Sequence, residues 1–287
     1  MLKSWFSTRL GSDPDKYIFP TVDPKEDGPD CLRDCADCTV HFPAKFHIET
    51  ERKIYGKIKP FATHVLVATG KSDWVSKPDS EKGSLAHALS TASTNERLMV
   101  NTSNLNSYRD GSESEGADDG TTVLVLPSFE FIDNVTIPAV PEFVSRFINK
   151  EPSQTAAPSQ LRSRPCPHDY VVLLCSHKRR DARCGISAPL IKKELERHLR
   201  PAGLYRDTDD ERLGGVGIYF VSHVGGHKFS ANVLVYRKQQ GQLIWLARVT
   251  PENCEGIVKY TILQGKVVHP EFQLRGGFDK ERGVTSW

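Results

Sequence analysis

Apolar residues in the second half of the chain form four short runs that are separated by polar loops. The runs at 170–174, 216–221, 231–236 and 243–249 are nearly continuous and rich in Val, Ile, Leu and aromatic residues. Runs of this length and composition are typical of strands that are buried on both faces of a sheet. The pattern therefore predicts four strands in this half.

Two helices complete the pattern. Between the first and second strands, apolar side chains recur at steps of three and four residues, which predicts a helix near 188–199 with Pro189 in its first turn. Pro251 begins a second helix, which extends through Tyr260 and Ile262. Strands and helices in this order favour an α/β fold, a thioredoxin-like mixed sheet with flanking helices.

The first half repeats the pattern in a weaker form. Strands are predicted at 64–69, 97–100 and 122–126, and helices at 84–93 and 141–148. The run His64-Val65-Leu66-Val67, followed by Gly70-Lys71-Ser72-Asp73, parallels Val171-Val172-Leu173-Leu174, followed by Ser176-His177-Lys178-Arg179. We interpret this half as a second, degenerate thioredoxin-like unit; chance agreement between two short runs is the competing explanation.

Composition divides the chain into four parts. Residues 1–30 are polar and contain several prolines, as expected of a flexible N-terminal segment, and 31–150 is predicted to be an N-terminal α/β domain. Pro, Ser, Gln and Ala dominate 151–165, which we interpret as a linker to the thioredoxin-like domain at 166–287. The acidic Gly/Ser segment at 110–120 is predicted to be a solvated loop.

Charge and hydropathy argue against several classes of function. The 287 residues carry a net charge of only +2, so we expect no general affinity for nucleic acid or for membrane surfaces. No apolar run approaches the roughly 18–20 residues that cross a bilayer.

Cysteine content indicates the compartment. Seven cysteines without a secretory signal favour reduced thiols in a cytoplasmic protein. Lys3 and Arg9, without an acidic residue among the first ten, are also compatible with a short mitochondrial presequence, but Asp13 and Asp15 follow immediately. We predict a cytoplasmic location, with the mitochondrion as the alternative.

Four residues with metal-ligating side chains follow the predicted strands. Cys175 ends the first strand of the second half, and eight residues separate it from Cys184. His223 and His227 follow the second strand, and thirty-eight residues separate Cys184 from His223. Zinc and an iron–sulfur cluster both accept two thiolates and two imidazoles. Finger-type zinc sites have shorter gaps, which argues against a finger without excluding zinc.

Histidine ligands change what a cluster can do. Two neutral imidazoles in place of two thiolates make an oxidised two-iron centre neutral, whereas four thiolates leave it a dianion, so electron uptake becomes easier. A ligating imidazole can also lose its second proton, which couples electron uptake to proton uptake. Gly225 and Gly226 between the histidines permit the tight turn that directs both rings to one iron.

A second cysteine group lies near the N-terminus. Cys31, Cys35 and Cys38 have the spacing of a radical-SAM cluster motif, but Asp37 stands where such motifs usually have an aromatic residue. A zinc knuckle or redox-active thiols in a flexible segment fit better, and Cys35 with Cys38 also has the spacing of a thioredoxin-type pair. His41 and His47 nearby are predicted to be ordinary surface residues.

The residues around the four ligands resemble a known family. The stretches concerned are Cys175-Ser176-His177, Arg180-Asp181, Arg183-Cys184-Gly185-Ile186, Ala188-Pro189, Gly203-Leu204-Tyr205-Arg206-Asp207, His223-Val224-Gly225-Gly226-His227-Lys228-Phe229, Ala231-Asn232-Val233, Leu243-Ile244-Trp245-Leu246, Arg248-Val249-Thr250-Pro251 and the terminal Ser286-Trp287. Together they look like the fungal actin-patches-distal proteins of the sucrase/ferredoxin-like family. The likeness is dense over 165–251 and thin over 1–160.

This resemblance implies a thioredoxin-like ferredoxin that works in electron transfer or redox homeostasis, an electron carrier rather than a substrate-turning enzyme. It implies a 2Fe–2S cluster with Cys175, Cys184, His223 and His227 as ligands. We expect the cysteines on the inner iron and the histidines on the outer one. The sucrase part of the family name is not taken literally, because no carboxylate pair suited to glycoside hydrolysis is evident.

Partners are predicted from the charged and terminal residues. Lys178, Arg179, Arg180, Arg183 and Lys228 are either an ordinary solvated rim or a docking face for an acidic electron-transfer partner such as a flavoprotein reductase. Arg180 and Asp181 can instead brace the loop. The terminal Trp287 is either a frayed end or a recognition tail for the cytosolic iron–sulfur assembly machinery.

Two other functions fit the same residues. A structural zinc-binding interaction module, for example in cortical actin organisation, predicts a colourless protein with one zinc. A thiol oxidoreductase predicts activity that survives His223→Ala but not the loss of Cys35 or Cys38.

Overall fold

Twelve strands form one mixed sheet in the computed structural model, which describes residues 16–108, 120–151 and 159–287. The strands are β1 Thr63–Ala68, β2 Leu98–Ser103, β3 Thr121–Leu126, β4 Glu130–Val135, β5 Arg162–Pro165, β6 Tyr170–Cys175, β7 Tyr205–Arg206, β8 Val216–Val221, β9 Val233–Arg237, β10 Gln242–Leu246, β11 Leu274–Asp279 and β12 Val284–Thr285. The helices are α1 Pro24–Asp27, α2 Leu85–Thr91, α3 Val140–Phe143, α4 Ala182–Leu199, α5 Cys254–Gly256 and α6 Pro270–Gln273. The α/β fold class is confirmed.

Shorter helical turns complete the list. A π-helical segment, Val144–Ile148, continues α3, and another, Ile257–Ile262, continues α5. Turns of 3₁₀ type lie at Pro78–Ser80, His227–Phe229 and Pro251–Asn253.

The C-terminal unit has thioredoxin-like topology. Strands β6 and β8 are parallel and are joined by α4, while β9 pairs antiparallel with the other side of β6 and β10 pairs antiparallel with β9. The spatial order β8-β6-β9-β10, with α5 after the last strand, combines a βαβ unit with a ββα unit. Strand β6 is central, which explains why its sequence is a continuous apolar run.

The N-terminal half repeats this topology. Strands β1 and β2 are parallel, β3 pairs antiparallel with β1, and β4 pairs antiparallel with β3, so the spatial order is β2-β1-β3-β4. Helix α2 lies between β1 and β2 in the chain, and α3 follows β4. The second thioredoxin-like unit is therefore present in the fold.

The two units join edge to edge. Strand β2 of the first unit pairs antiparallel with β8 of the second, with Ser103 opposite Val221. One apolar cluster continues across this junction, since it contains Leu66 and Leu124 from one unit and Leu173 and Trp245 from the other. Full burial of each such side chain contributes about 1.5–3 kcal/mol. Both halves therefore belong to one sheet, although the sequence divides them into two domains.

A buried polar contact also crosses the junction. His64 on β1 bonds through Nδ1 to the Tyr236 hydroxyl at 2.8 Å and through Nε2 to Asn101 Oδ1 at 2.9 Å. Burial lowers the pKa of His64 to about 4, so the ring is neutral at physiological pH. The neutral ring forms hydrogen bonds with Tyr236 of one unit and with Asn101 of the other.

The predicted first helix of the C-terminal unit begins earlier than expected. Helix α4 starts at Ala182, and the Asp181 side chain caps it by accepting a hydrogen bond from the Arg183 amide at 3.0 Å. Pro189 therefore lies inside the helix instead of in its first turn. The pattern missed the turns before residue 188 because they bury Cys184 and Ser187 instead of large apolar residues.

Two segments expected to be flexible are packed in their described parts. Residues 1–15 lie outside the described residues, but the 16–30 part places Phe19 in the core and forms a bridge between Thr21 and Val267. Of the expected linker at 151–165, 152–158 lies outside the described residues and Arg162–Pro165 pairs with β4. This strand forms through backbone pairing with β4, and its polar sequence does not predict it.

The expected acidic loop at 110–120 lies outside the described residues except for Gly120.

Candidate metal centre

The two cysteines of the predicted site meet at the carboxyl end of β6. Cys175 is the last residue of that strand, Cys184 lies in the first turn of α4, and both side chains are 1% exposed. The thiol of Cys184 donates to the Cys175 sulfur, and the pKa of Cys175 is lowered by this bond and by contacts with the His223 ring and the Val224 amide, against the effect of burial. Cys175 is therefore the better stabilised thiolate of the pair.

Both histidines lie on the loop after β8. His223 and His227 have ring centroids 5.4 Å apart, with planes inclined by 63°. Gly225 and Gly226 between them have φ values of 86° and 67°, and a Cβ atom on Gly226 would lie 2.7 Å from the Arg275 guanidinium. The tight turn predicted from these glycines is confirmed, because other residues would be strained here.

An acidic residue, Asp181, orients the ring of His227. Asp181 Oδ2 lies 2.8 Å from Nδ1 of His227, and Arg183 donates to the same carboxylate from Nη2 at 2.7 Å. Burial raises the pKa of Asp181, but the bonds from Arg183 and His227 lower it more, to about 2. The ionised carboxylate fixes the proton of His227 on Nδ1 and leaves the lone pair of Nε2 available for a metal.

A buried arginine lies beneath the histidine loop. Arg275 Nη1 donates to the Gly225 carbonyl at 3.0 Å and to Asn232 Oδ1 at 2.8 Å, and its guanidinium stacks 4.6 Å from the centre of the Trp245 ring. Burial lowers the pKa of Arg275 to about 10, and the neighbouring Cys175 opposes that shift. The cation therefore lies close to the Cys175 sulfur.

The N-terminal unit holds the same loops in place. Asn101 Nδ2 donates to the His223 carbonyl at 3.2 Å, and the His223 amide donates to Nδ1 of His177 at 3.2 Å. Ser176 Oγ donates to the Ser72 carbonyl at 2.6 Å. The loops after β1 and β6, which resemble each other in sequence, are thus in direct contact.

The donor atoms of the four residues form an open arrangement. Among the described residues, no three of these donors all lie within 4.8 Å of one another. Nδ1 of His223 is buried and has no hydrogen-bond partner within the described part of the chain. Because His223 contacts Cys175 and keeps an unpartnered ring nitrogen, these residues offer donor atoms that fit a metal or cluster group.

The surface around the site is basic. Lys178, Arg179, Arg180 and Lys228 are exposed, although Arg179 contacts Asp73 at 3.6 Å. Arg183 is paired with Asp181 and is less available. A groove of about 750 Å³ is lined by His223 together with the basic residues Lys57, Arg97 and Arg275.

The N-terminal cysteines do not meet as a group of three. Cys35 and Cys38 are in contact, whereas Cys31 packs with Val22 and Tyr260. Burial raises the pKa of Cys35 and, together with Cys35, raises that of Cys38 to about 12. These are poor nucleophiles, which argues against the thiol oxidoreductase hypothesis. His41 and His47 are exposed, as expected.

The C-terminal tryptophan is docked. Trp287 stacks on Phe61 with ring centroids 5.3 Å apart, and its ring edge meets Phe278 at 5.8 Å. The Ser286 amide holds the backbone by donating to the Gly277 carbonyl at 3.1 Å.

Sequence reasoning missed several residues that shape the centre. Arg275, Asn232 and Asn101 come from distant segments, and their polar side chains carry no periodic signal. A clue was the presence of the polar Asn101 and Arg275 within strands that also contribute apolar residues. No described helix is both long and apolar enough to span a bilayer.

Comparisons with known proteins cover most of this architecture. The model of the sucrase/ferredoxin-like family matches residues 54–276, which include both units and all four predicted ligands. Actin patches distal protein 1 of Saccharomyces cerevisiae is 34% identical over 241 residues, 77% of this chain and 75% of that protein. Altered inheritance of mitochondria protein 32 of Clavispora lusitaniae is 40% identical over 145 residues, 48% of each protein. No solved structure is significantly similar to the chain.

Proposed function

Because the chain belongs to the sucrase/ferredoxin-like family, we propose that it is an iron–sulfur redox protein that carries a 2Fe–2S cluster on Cys175, Cys184, His223 and His227. A cluster of this kind supplies one-electron oxidation and reduction. The observation that carries the proposal is the convergence of both thiols with the His223 ring, whose buried Nδ1 has no partner among the described residues. The protein is proposed to act as an electron carrier.

The spacing of the donors favours two irons over one zinc. Ligands at about 2.0–2.3 Å from a tetrahedral zinc lie roughly 3.3–3.8 Å from one another. No three of the four donors come within 4.8 Å of one another. Structural zinc-binding interaction modules therefore remain the weaker alternative.

The chain controls the charge and protonation of the ligands. Asp181 holds the proton of His227 on Nδ1, and the Val224 amide stabilises the Cys175 thiolate. The buried Arg275 places a positive charge beside the thiolates, which favours the reduced form of the centre. Trp245 and Asn232 keep this cation in position through the contacts at 4.6 Å and 2.8 Å.

The exposed basic residues support a partner of opposite charge. Lys178 and Arg180 lie between Cys175 and Cys184, and Lys228 follows His227 in the same turn. A small, salt-sensitive contact with an acidic flavoprotein reductase suits this surface. All seven cysteines are free thiols, which is compatible with a reducing compartment. We therefore include a cytoplasmic location in the proposal.

Metal and sulfide analysis tests the proposal. The purified chain is expected to contain equal amounts of iron and acid-labile sulfide, with visible absorption and a rhombic EPR signal after reduction. His223→Cys and His227→Cys are expected to keep the iron and change both spectra. A colourless chain with zinc at this site would favour the alternative.

A further inference from the structure

A second group of metal-ligating side chains lies at the opposite end of α4. Cys35 Sγ, a ring nitrogen of His198 and a carboxylate oxygen of Glu255 are all within 4.8 Å of one another. His198 is in the last turn of α4, whereas Cys184 is in its first. The rise of an α-helix separates the two positions by about 20 Å, so this group is distinct from the proposed cluster.

Cys38 lies beside this group and adds a second thiol, although its sulfur is not within 4.8 Å of all three other donors. Its sulfur is in hydrogen-bond contact with that of Cys35, and the Asp37 amide also donates to the Cys35 sulfur. Two residues separate these cysteines, which is the spacing by which a short loop presents two thiolates to one zinc. The four donors come from three segments of the chain.

We propose that Cys35, Cys38, His198 and Glu255 bind a structural zinc ion that fastens the N-terminal segment to the C-terminal unit. Two thiolates, one imidazole and one carboxylate form a closed tetrahedral set. The segment at 31–38 contains neither helix nor strand, so a metal bond there contributes directly to its ordering.

A positive charge lies beside this set. Two thiolates and the Glu255 carboxylate exceed the charge of zinc by one negative unit, and Arg197, which also pairs with Glu194 and lies 3.8 Å from Asp37, is the cation in contact with the set. Its Nη2 lies 3.1 Å from the Cys35 sulfur and 3.0 Å from Nε2 of His198. Glu194 holds the same guanidinium through Nε at 2.7 Å, so Arg197 keeps a partner when a metal binds His198.

The backbone around the set is fixed by other contacts. Buried Glu194 accepts a hydrogen bond at 2.9 Å from the amide of Thr39, the residue after Cys38. The Cys35 amide donates to the Glu252 carbonyl at 2.9 Å. The backbone at the two cysteines is thus held against α4 and the 3₁₀ turn Pro251–Asn253, which is part of the preorganisation that a metal site requires.

The decisive experiment uses the full chain with Cys175→Ser and Cys184→Ser, which removes the thiolates of the proposed cluster. This parent is expected to retain one zinc per chain, and Co²⁺ in its place is expected to give the visible absorption of a tetrahedral thiolate site. Adding Cys38→Ser or Glu255→Gln is expected to weaken zinc binding at least tenfold and to change the Co²⁺ spectrum. Cys31→Ser is the matched control and is expected to leave both unchanged.

Zinc X-ray absorption of the wild-type and Cys38→Ser chains gives a readout that does not depend on the folding of the parent. Two sulfur ligands at about 2.3 Å are expected in this site and one after the substitution. A folded parent without zinc, or zinc binding that Cys38→Ser leaves unaltered, would overturn the proposal. Since the parent lacks Cys175 and Cys184, this result is independent of whether the cluster proposal holds.

Discussion

Asp181 Oδ2 lies 2.8 Å from Nδ1 of His227, so the residue that caps α4 also orients a histidine 46 positions later. Helix α4 therefore contributes to the centre twice, through Cys184 in its first turn and through its cap. This contact links the two loops on which the predicted ligands lie.

Asp181→Asn tests the contribution of this carboxylate. Asparagine caps helices as well as aspartate, so α4 is expected to keep its start. Loss of the negative charge should shift the reduction potential to more positive values by tens of millivolts, and loss of the partner should lower cluster retention by about 10–100-fold. Potentiometric titration and iron content measure both effects. The exposed Asp209→Asn is the control, and equal behaviour of the two variants would contradict the assigned role.

Arg275→Gln is expected to shift the reduction potential in the direction opposite to that of Asp181→Asn. Removal of a buried cation beside Cys175 should make the potential more negative, because the added electron loses a favourable interaction. Arg275→Lys keeps the charge and is expected to fall between this variant and wild type. The lost hydrogen bonds should destabilise the fold by about 1–3 kcal/mol, which urea denaturation measures. A positive shift in Arg275→Gln would contradict the electrostatic account.

The basic loops predict a charge-dependent reduction rate. Lys178→Glu with Arg180→Glu is expected to slow reduction by an acidic flavoprotein reductase several-fold at low salt and to remove most of its salt dependence. Lys193→Glu on the exposed side of α4 is the matched control. Stopped-flow measurement with a neutral small-molecule reductant should show equal rates for all variants. A reductase rate unaffected by charge reversal would exclude this docking face.

The docked C-terminus leads to a prediction about cluster delivery. If the assembly machinery recognises Trp287, the residue has to leave Phe61 and Phe278 before it can bind. Deletion of Trp287 is expected to lower iron content in cells while chemical reconstitution of the purified chain stays normal, because Ser286 still anchors the backbone. Trp287→Phe keeps an aromatic ring and serves as the control. Normal cellular iron content in the deletion variant would rule out this recognition.

The strands, and the meeting of the loops that carry Cys175 and His223, could be predicted because their signals are local. Continuous apolar runs mark β6 and β8, and Cys175 and His223 follow from the ends of these strands. Since parallel neighbouring strands end at the same edge of a sheet, loops that follow them meet there. The thioredoxin-like order of the second half follows from the same runs.

Other features depend on contacts between distant segments. The role of Arg275 depends on its contacts with Gly225 and Asn232, and no local pattern indicates them. Strand β5 is polar and forms through pairing with β4. The meeting of Cys35 with His198 likewise requires the N-terminal segment to lie against α4, which a sequence without periodicity cannot indicate.

EPR spectroscopy of the reduced chain labelled with ¹⁵N-histidine tests whether His223 and His227 bind the cluster. We expect a rhombic signal with hyperfine coupling to two histidine nitrogens, and the loss of one coupling in His223→Cys and of the other in His227→Cys. A signal without histidine coupling, or couplings that both substitutions leave intact, would contradict the assignment of these residues as cluster ligands.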